Sequence, residues 1–365
     1  MDSFKSLKKK LSKMIGDEYW QFPGIGTILT KAGKPVFSFC DGYSVLGDSR
    51  KNFSPHSLFR VASISKQYTV YAVMKLLEEG KIALDDDISR YLGFQLVHPA
   101  FPDTKITVRM LANHTSGLRD GIVYCIPPLY SVKEFFSPDG SFYEKGNHFS
   151  PATEPVGSYF CYSNLNYGLL GTIIEAITGE RFDLYIEKHI LPSLDIDGGY
   201  LPGNLSSDQF KQLGAIYQKK NYAGEWLDDM DWQGSIDDYN GIQPLEDTVT
   251  MQNPYALHDD PKAYALDAYV PGTNATFFAP QGGLRTSLTG MCNTLIMLMN
   301  KGQFHERVIL SERSIKEMTK SQWKYNGSNG DTCDDTLLSY GLGLYQIDGS
   351  SRARVWDKRP INLIG

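Results

Sequence analysis

No stretch of this 365-residue chain approaches the roughly 18 apolar residues needed to cross a bilayer, which excludes a helical membrane span. There is no surplus of positive charge: 36 Lys and Arg stand against 42 Asp and Glu, giving a net charge of −6. That balance argues against a nucleic-acid binder, which would carry a basic face. The first twenty residues lack the apolar h-region of a secretory signal, so the expectation is a cytoplasmic protein, unless an export segment has been trimmed away. The five cysteines (Cys40, Cys125, Cys161, Cys292 and Cys333) show no CxxC or other metal spacing, and are expected to be free thiols. No HExxH occurs among the histidines, which leaves no motif for a zinc enzyme. Nor is there a G-x-S-x-G elbow, which counts against an α/β-hydrolase.

What remains is the composition of a globular domain, with 41% hydrophobic and 21% charged residues, enough to fill a core and too little charge for wholesale disorder. The length fits two domains, or one large domain with an insertion. Phe4, Leu7, Leu11, Met14 and Ile15 recur at helical spacing beside five lysines. This predicts a basic amphipathic helix, read as a surface helix packed on a sheet or as a membrane-surface element. Gly24–Thr30 and Val36–Phe39, separated by Ala32-Gly33-Lys34, predict a hairpin. Helices are expected over 63–79, stopped by Gly80, from Thr107 as N-cap to about 113, over 165–178, stopped by Gly179, over 182–190 and over 288–301. Residues 221–272 change character, acidic and aromatic with little periodicity, and read as a long loop that either covers a cleft or decorates the surface. A hairpin, then helices, then renewed alternation predicts an α+β fold, an antiparallel sheet flanked by helices with a mostly helical inserted domain. The expected division is 1–80 with 275–365 for the sheet domain and 81–274 for the helical one.

Chemistry concentrates in two short motifs. Ser63-Ile64-Ser65-Lys66 is an S-x-x-K at the start of a helix, where residues three apart share a face and the Lys66 amine can reach the Ser63 hydroxyl. A neutral, desolvated lysine can take the hydroxyl proton and make the serine nucleophilic. The spacing also occurs at Ser6…Lys9 and Ser321…Lys324, but only Ser63 is followed by a long apolar helix. The second motif, Tyr162-Ser163-Asn164, is the only Y-x-N in the chain and likewise precedes an apolar helix. Tyr162 can relay a proton to a leaving group, or be a buried core tyrosine; Asn164 can orient a substrate amide.

Leu58-Phe59-Arg60-Val61-Ala62-Ser63-Ile64-Ser65-Lys66-Gln67 resembles the active-site segment of serine hydrolases related to class C β-lactamases, a family that includes penicillin-binding DD-peptidases, D-aminopeptidases and esterases. The similarity continues through Leu76–Gly80, Leu84–Ile88, Ile106–Leu111, His114-Thr115-Ser116-Gly117-Leu118, Tyr162–Gly171, Gly282–Ser287 and Tyr340–Leu344. It implies a β-lactamase/transpeptidase-like fold. It also implies Ser63 as acylated nucleophile, Lys66 as its base, Tyr162 as proton relay and Asn164 as substrate-amide ligand, with no metal or organic cofactor. His114, a base by residue type, falls in a segment that is a structural turn in that family. The family's third motif, K-T-G or H-x-G, occurs nowhere after Tyr340. The hairpin that precedes it is expected at 342–347 and 354–363, so the chain is expected to stop short of the fold's last strands. The substrate is expected to be a small molecule or peptide with an amide, ester or lactam carbonyl. A penicillin-binding sensor that acylates without turnover and an inactive fragment of a processed hydrolase are the alternatives.

Overall fold

The computed structural model describes residues 4–16, 21–219, 225, 227, 230–247, 261–347 and 361–363. Its helices in chain order are α1 (Lys5–Ser12), α2 (Ser65–Glu78), α3 (Ser89–Leu92), α4 (Val108–Ala112), α5 (Asn164–Thr178), α6 (Phe182–His189), α7 (Ser207–Lys211), α8 (Leu288–Met299) and α9 (Glu312–Thr319). The strand ladders are antiparallel, and the class is α+β as the sequence predicts. None of the described helices is long and apolar enough to cross a membrane. All five cysteines are free.

The chain divides into two compact units, along lines other than those expected. One comprises 1–61, 191–248 and 284–309; the other 62–190, 249–283 and 310–365. Residues 62–80 join the helical unit because α2 packs on α5 and α6, and the segment after 310 follows them. The supposed 221–272 excursion is shared. Gln233–Ser235 pairs with Ile216–Gln218 in the first unit, while residues 261–272 belong to the second. Residues 220–224 and 248–260 lie outside the described part.

In the first unit the predicted hairpin forms between Gly24–Lys31 and Lys34–Val45, longer than the sequence pattern suggested. Phe4, the residue before α1, packs on Phe37 of that hairpin, ring centroids 4.9 Å apart, while Leu7 and Leu11 of the helix stay half-buried. A second sheet orders Leu58–Arg60, Arg285–Ser287 and Gly198–Gly199 side by side. Buried Arg285 is neutralised by Asp237, a residue of the atypical segment.

The second unit is built around α2 and α5. Tyr68 through Met74 and Leu76 are fully buried, so α2 is a central helix rather than an amphipathic one. Because of that, the polar residues of its first turns, Ser65, Lys66, Gln67 and Thr69, are buried too. α5 closes at Gly179, which takes φ +69°, the left-handed conformation that glycine adopts without a Cβ clash, and caps the Glu175 carbonyl. Thr107 caps α4 through its hydroxyl, which accepts from the Met110 amide, as predicted. A four-stranded sheet runs Trp323–Lys324, Ser339–Tyr340, Tyr345–Ile347 and Ile361–Leu363. The expected hairpin is thus present in part, with Tyr345 opposite Leu363.

Candidate active site

Every predicted site residue lies in the second unit, and the structure brings them together. Ser63 occupies a single 3₁₀ turn, Ala62–Ile64, that leads into α2. Ala62 has φ +47°, in the left-handed region that costs a non-glycine residue about 1 kcal/mol. Strain of this kind accumulates at functional sites, and here it turns the chain so that the first helical residues present Ser63 and Lys66 on one face. The other two S-x-x-K copies do nothing similar: Ser6 and Lys9 are exposed on α1, and Ser321 and Lys324 are exposed.

Lys66 is fully buried, and its Nζ has three oxygen neighbours: Ser63 Oγ at 3.0 Å, Asn164 Oδ1 at 2.8 Å and the Gln281 carbonyl at 3.0 Å. It also sits over the faces of Tyr162 and Tyr167, 4.7 and 5.4 Å from the ring centroids. The chemistry of these oxygens is unequal. A backbone carbonyl and an amide oxygen only accept, whereas a hydroxyl can also donate. A neutral amine has two hydrogens and one lone pair. Giving both hydrogens to Gln281 and Asn164 leaves the lone pair facing Ser63, ready to receive its proton. Burial lowers the Lys66 pKa from 10.5 to about 7, against the opposing pull of the Asp120 charge. The neutral amine is therefore well populated near neutral pH.

Tyr162 is pushed the other way. Burial raises its phenol to about 12, although a hydrogen bond with Ser63 holds it down in part. At neutral pH it is a proton donor, not a phenolate. His114 stacks on it at 4.4 Å, at φ +61°, and its Nδ1 accepts the Ser163 amide at 3.1 Å while its carbonyl accepts the Cys161 amide at 2.9 Å. Complete burial, with the nearby Lys66 charge, drives the imidazole pKa well below its ordinary value. The ring is a neutral scaffold for the Tyr162-Ser163 turn, which fits a structural rather than a catalytic histidine.

Two participants escaped the sequence reading. Asp120 accepts from the Ser163 hydroxyl, the Asn164 amide nitrogen and the Leu165 backbone amide, at 3.0, 2.8 and 2.9 Å. It lies two residues beyond the recognised His114–Leu118 segment, and a lone aspartate there gave no pattern to read. Gln281 contributes only its carbonyl, which no side-chain motif can announce. That carbonyl is held by packing. A Cβ on Gly171 would come within 2.5 Å of the Pro280 ring, whose displacement would carry Gln281 with it. Gly171→Ala is expected to cost about 1–3 kcal/mol of stability and to lower turnover about tenfold, checked by thermal melting and ester hydrolysis on the same preparation.

The sequence profile of the family described as Beta-lactamase matches residues 14–359. Among curated proteins, the chain is 28% identical over 181 residues to "Protein flp" of Staphylococcus aureus (strain MRSA252), covering 47% of this chain and 33% of that protein. It therefore matches about a third of the length of that relative. It is 24% identical over 351 residues to "N-acetylmuramyl-L-alanine amidase" of Bacillus subtilis (strain 168), covering 89% of this chain and 72% of the amidase. Among solved structures, it is similar to "EstCE1, a hydrolase with promiscuous acyltransferase activity", with a TM-score of 0.63 at 17% identity over 96% of this chain and 85% of that one. This last likeness is one of fold.

Proposed function

We propose that this chain, which belongs to the Beta-lactamase family, is a serine hydrolase that opens an ester, amide or lactam carbonyl through an acyl-enzyme on Ser63. The observation that carries this reading is the three-oxygen setting of the buried Lys66 amine, which leaves its lone pair for the Ser63 proton. In the acylation step, Lys66 takes that proton as Ser63 Oγ bonds to the carbonyl carbon, whose oxygen becomes an oxyanion. N–H groups in the first turn of a helix have no partners within it, and those beside Ser63 suit such a charge. As the bond to the leaving group breaks, the Tyr162 phenol gives the leaving atom its proton, and the proton that Lys66 took from Ser63 restores the phenol. Water, or an amine acceptor, then repeats the sequence on the acyl-enzyme: the base removes its proton, the acyl–Oγ bond breaks and Ser63 is reprotonated. Asn164 has one amide hydrogen on Asp120 and a second to offer the substrate's own carbonyl.

Support for a hydrolase of this breadth comes from the relatives' own descriptions, one an amidase and one a hydrolase that also transfers acyl groups. The test is a panel: p-nitrophenyl acetate, a D-alanyl anilide and a fluorescent penicillin, each with the wild-type chain and with Ser63→Ala. Turnover of the ester or the anilide that disappears in the variant supports the enzyme. A lasting penicillin adduct without turnover would replace it with a penicillin-binding sensor. Absence of both labelling and turnover would leave an inactive chain.

A further inference from the structure

A carboxylate accepts hydrogen bonds and does not donate them. Since Asp120 Oδ2 lies 2.8 Å from one end of the Asn164 amide, that end must be the NH₂, and the amide oxygen must face Lys66, where it lies 2.8 Å from Nζ. Asp120 thus decides the orientation of an amide that would otherwise fit either way round. The same carboxylate also takes the Ser163 hydroxyl and the Leu165 backbone amide, so three successive residues following Tyr162 hang from one side chain 43 to 45 positions earlier. The groups set around Lys66 are Ser63 at the start of its own helix, Tyr162, Asn164 and Tyr167 from α5 and the turn before it, His114 and Asp120 from the stretch after α4, and the Gln281 carbonyl. Burial holds His114 neutral and both tyrosines protonated. Of these described groups, Asp120 is the one carboxylate.

We propose that Asp120 is the positioning residue of this site: it fixes which end of Asn164 faces Lys66, and so whether the lysine's lone pair is left free for Ser63. The catalytic part of this inference rests on the hydrolase reading above. An asparagine at 120 has nearly the same shape. If its oxygen keeps Ser163 and Leu165, its NH₂ meets the NH₂ of Asn164, donor against donor. Asn164 relieves the clash by turning over, which points its own NH₂ at Lys66 and draws on the lone pair that Ser63 needs. Loss of the carboxylate and arrival of a donor act in the same direction, against the protonated lysine. An opposite charge at short range moves a pKa by roughly 1–3 units.

The test is Asp120→Asn with two readouts. The first is the titration of Lys66 by ¹³C NMR of lysine labelled at Cε, its resonance assigned with Lys66→Arg, which requires no turnover. The second is the acid limb of kcat/KM for p-nitrophenyl acetate, with kcat counted per site labelled by a fluorophosphonate. D120N is expected to move both midpoints to lower pH by about one pH unit and to lower plateau turnover about tenfold or more. Ser163→Ala, which removes one tie but keeps the charge, is expected to leave both midpoints in place. Unmoved midpoints in D120N, or an equal loss of rate at every pH, would reduce Asp120 to a structural brace and overturn the proposal. If D120N yields no folded protein, Asp120→Glu carries the test: its midpoints should stay within about 0.3 unit of wild type, and a downward displacement would overturn the proposal. Failure of the wild type to label at Ser63 would refute the hydrolase reading, while the NMR titration still judges Asp120 by itself.

Discussion

Lys66→Met is expected to lower kcat/KM for ester hydrolysis by about a thousandfold while making the protein more stable at pH 7, not less. The first half follows from the lone pair aimed at Ser63, which methionine lacks. The second follows from what the lysine costs. A buried lysine whose pKa falls from 10.5 to about 7 binds a proton more weakly in the folded chain than in the unfolded one. At or below pH 7 that difference disfavours folding by about 5 kcal/mol. Methionine fills a similar volume without a charge, but leaves Asn164 Oδ1 and the Gln281 carbonyl without their donor, at about 1–3 kcal/mol for a buried group. The net expectation is a gain of about 1 kcal/mol, seen as a melting temperature about a degree higher. A variant that is inactive and also less stable would mean that Lys66 is held as a satisfied structural ion pair rather than a strained base.

The second large effect is in pH. Because the active form of Lys66 is neutral, kcat/KM is expected to rise about tenfold per pH unit through the acidic range, to reach half its plateau near pH 7 and to level off above it, a change of about fiftyfold between pH 5 and 7. No fall is expected until strongly alkaline pH, because Tyr162 keeps its proton to about 12. Stability has a distinct dependence of the same origin. Between pH 7 and 10.5 the unfolded chain binds the lysine proton and the folded one does not, so this group makes stability rise with pH across that window. An acid limb well below pH 7 would contradict a neutral Lys66 as the base.

Much of this site was legible in the sequence, and the reason is local geometry. Ser63 and Lys66 are three residues apart on one helical face, and Tyr162 and Asn164 flank a single turn, so short-range rules place each pair. What short-range rules cannot do is join the pairs. The contact between Lys66 and Asn164 spans 98 positions and that with Gln281 spans 215, and both depend on how α2 packs against α5 and the 275–283 segment. Asp120 was missed for the same reason, since its three partners are 43 or more residues away. The compact units divide at 61/62 rather than after residue 80 because α2 packs on α5 and α6. Nothing within residues 63–79 themselves announces which elements this helix packs on.

The most direct measurement is the mass of the intact protein, quenched in acid seconds after mixing with p-nitrophenyl acetate at pH 8, followed by peptide mapping. The account predicts one added acetyl group on the peptide carrying Ser63 in the wild type, and none on that peptide in Ser63→Ala or, on the same timescale, in Lys66→Met. An acetyl group found on another residue with Ser63 unmodified, or labelling of Ser63 at the same rate with and without Lys66, would contradict it.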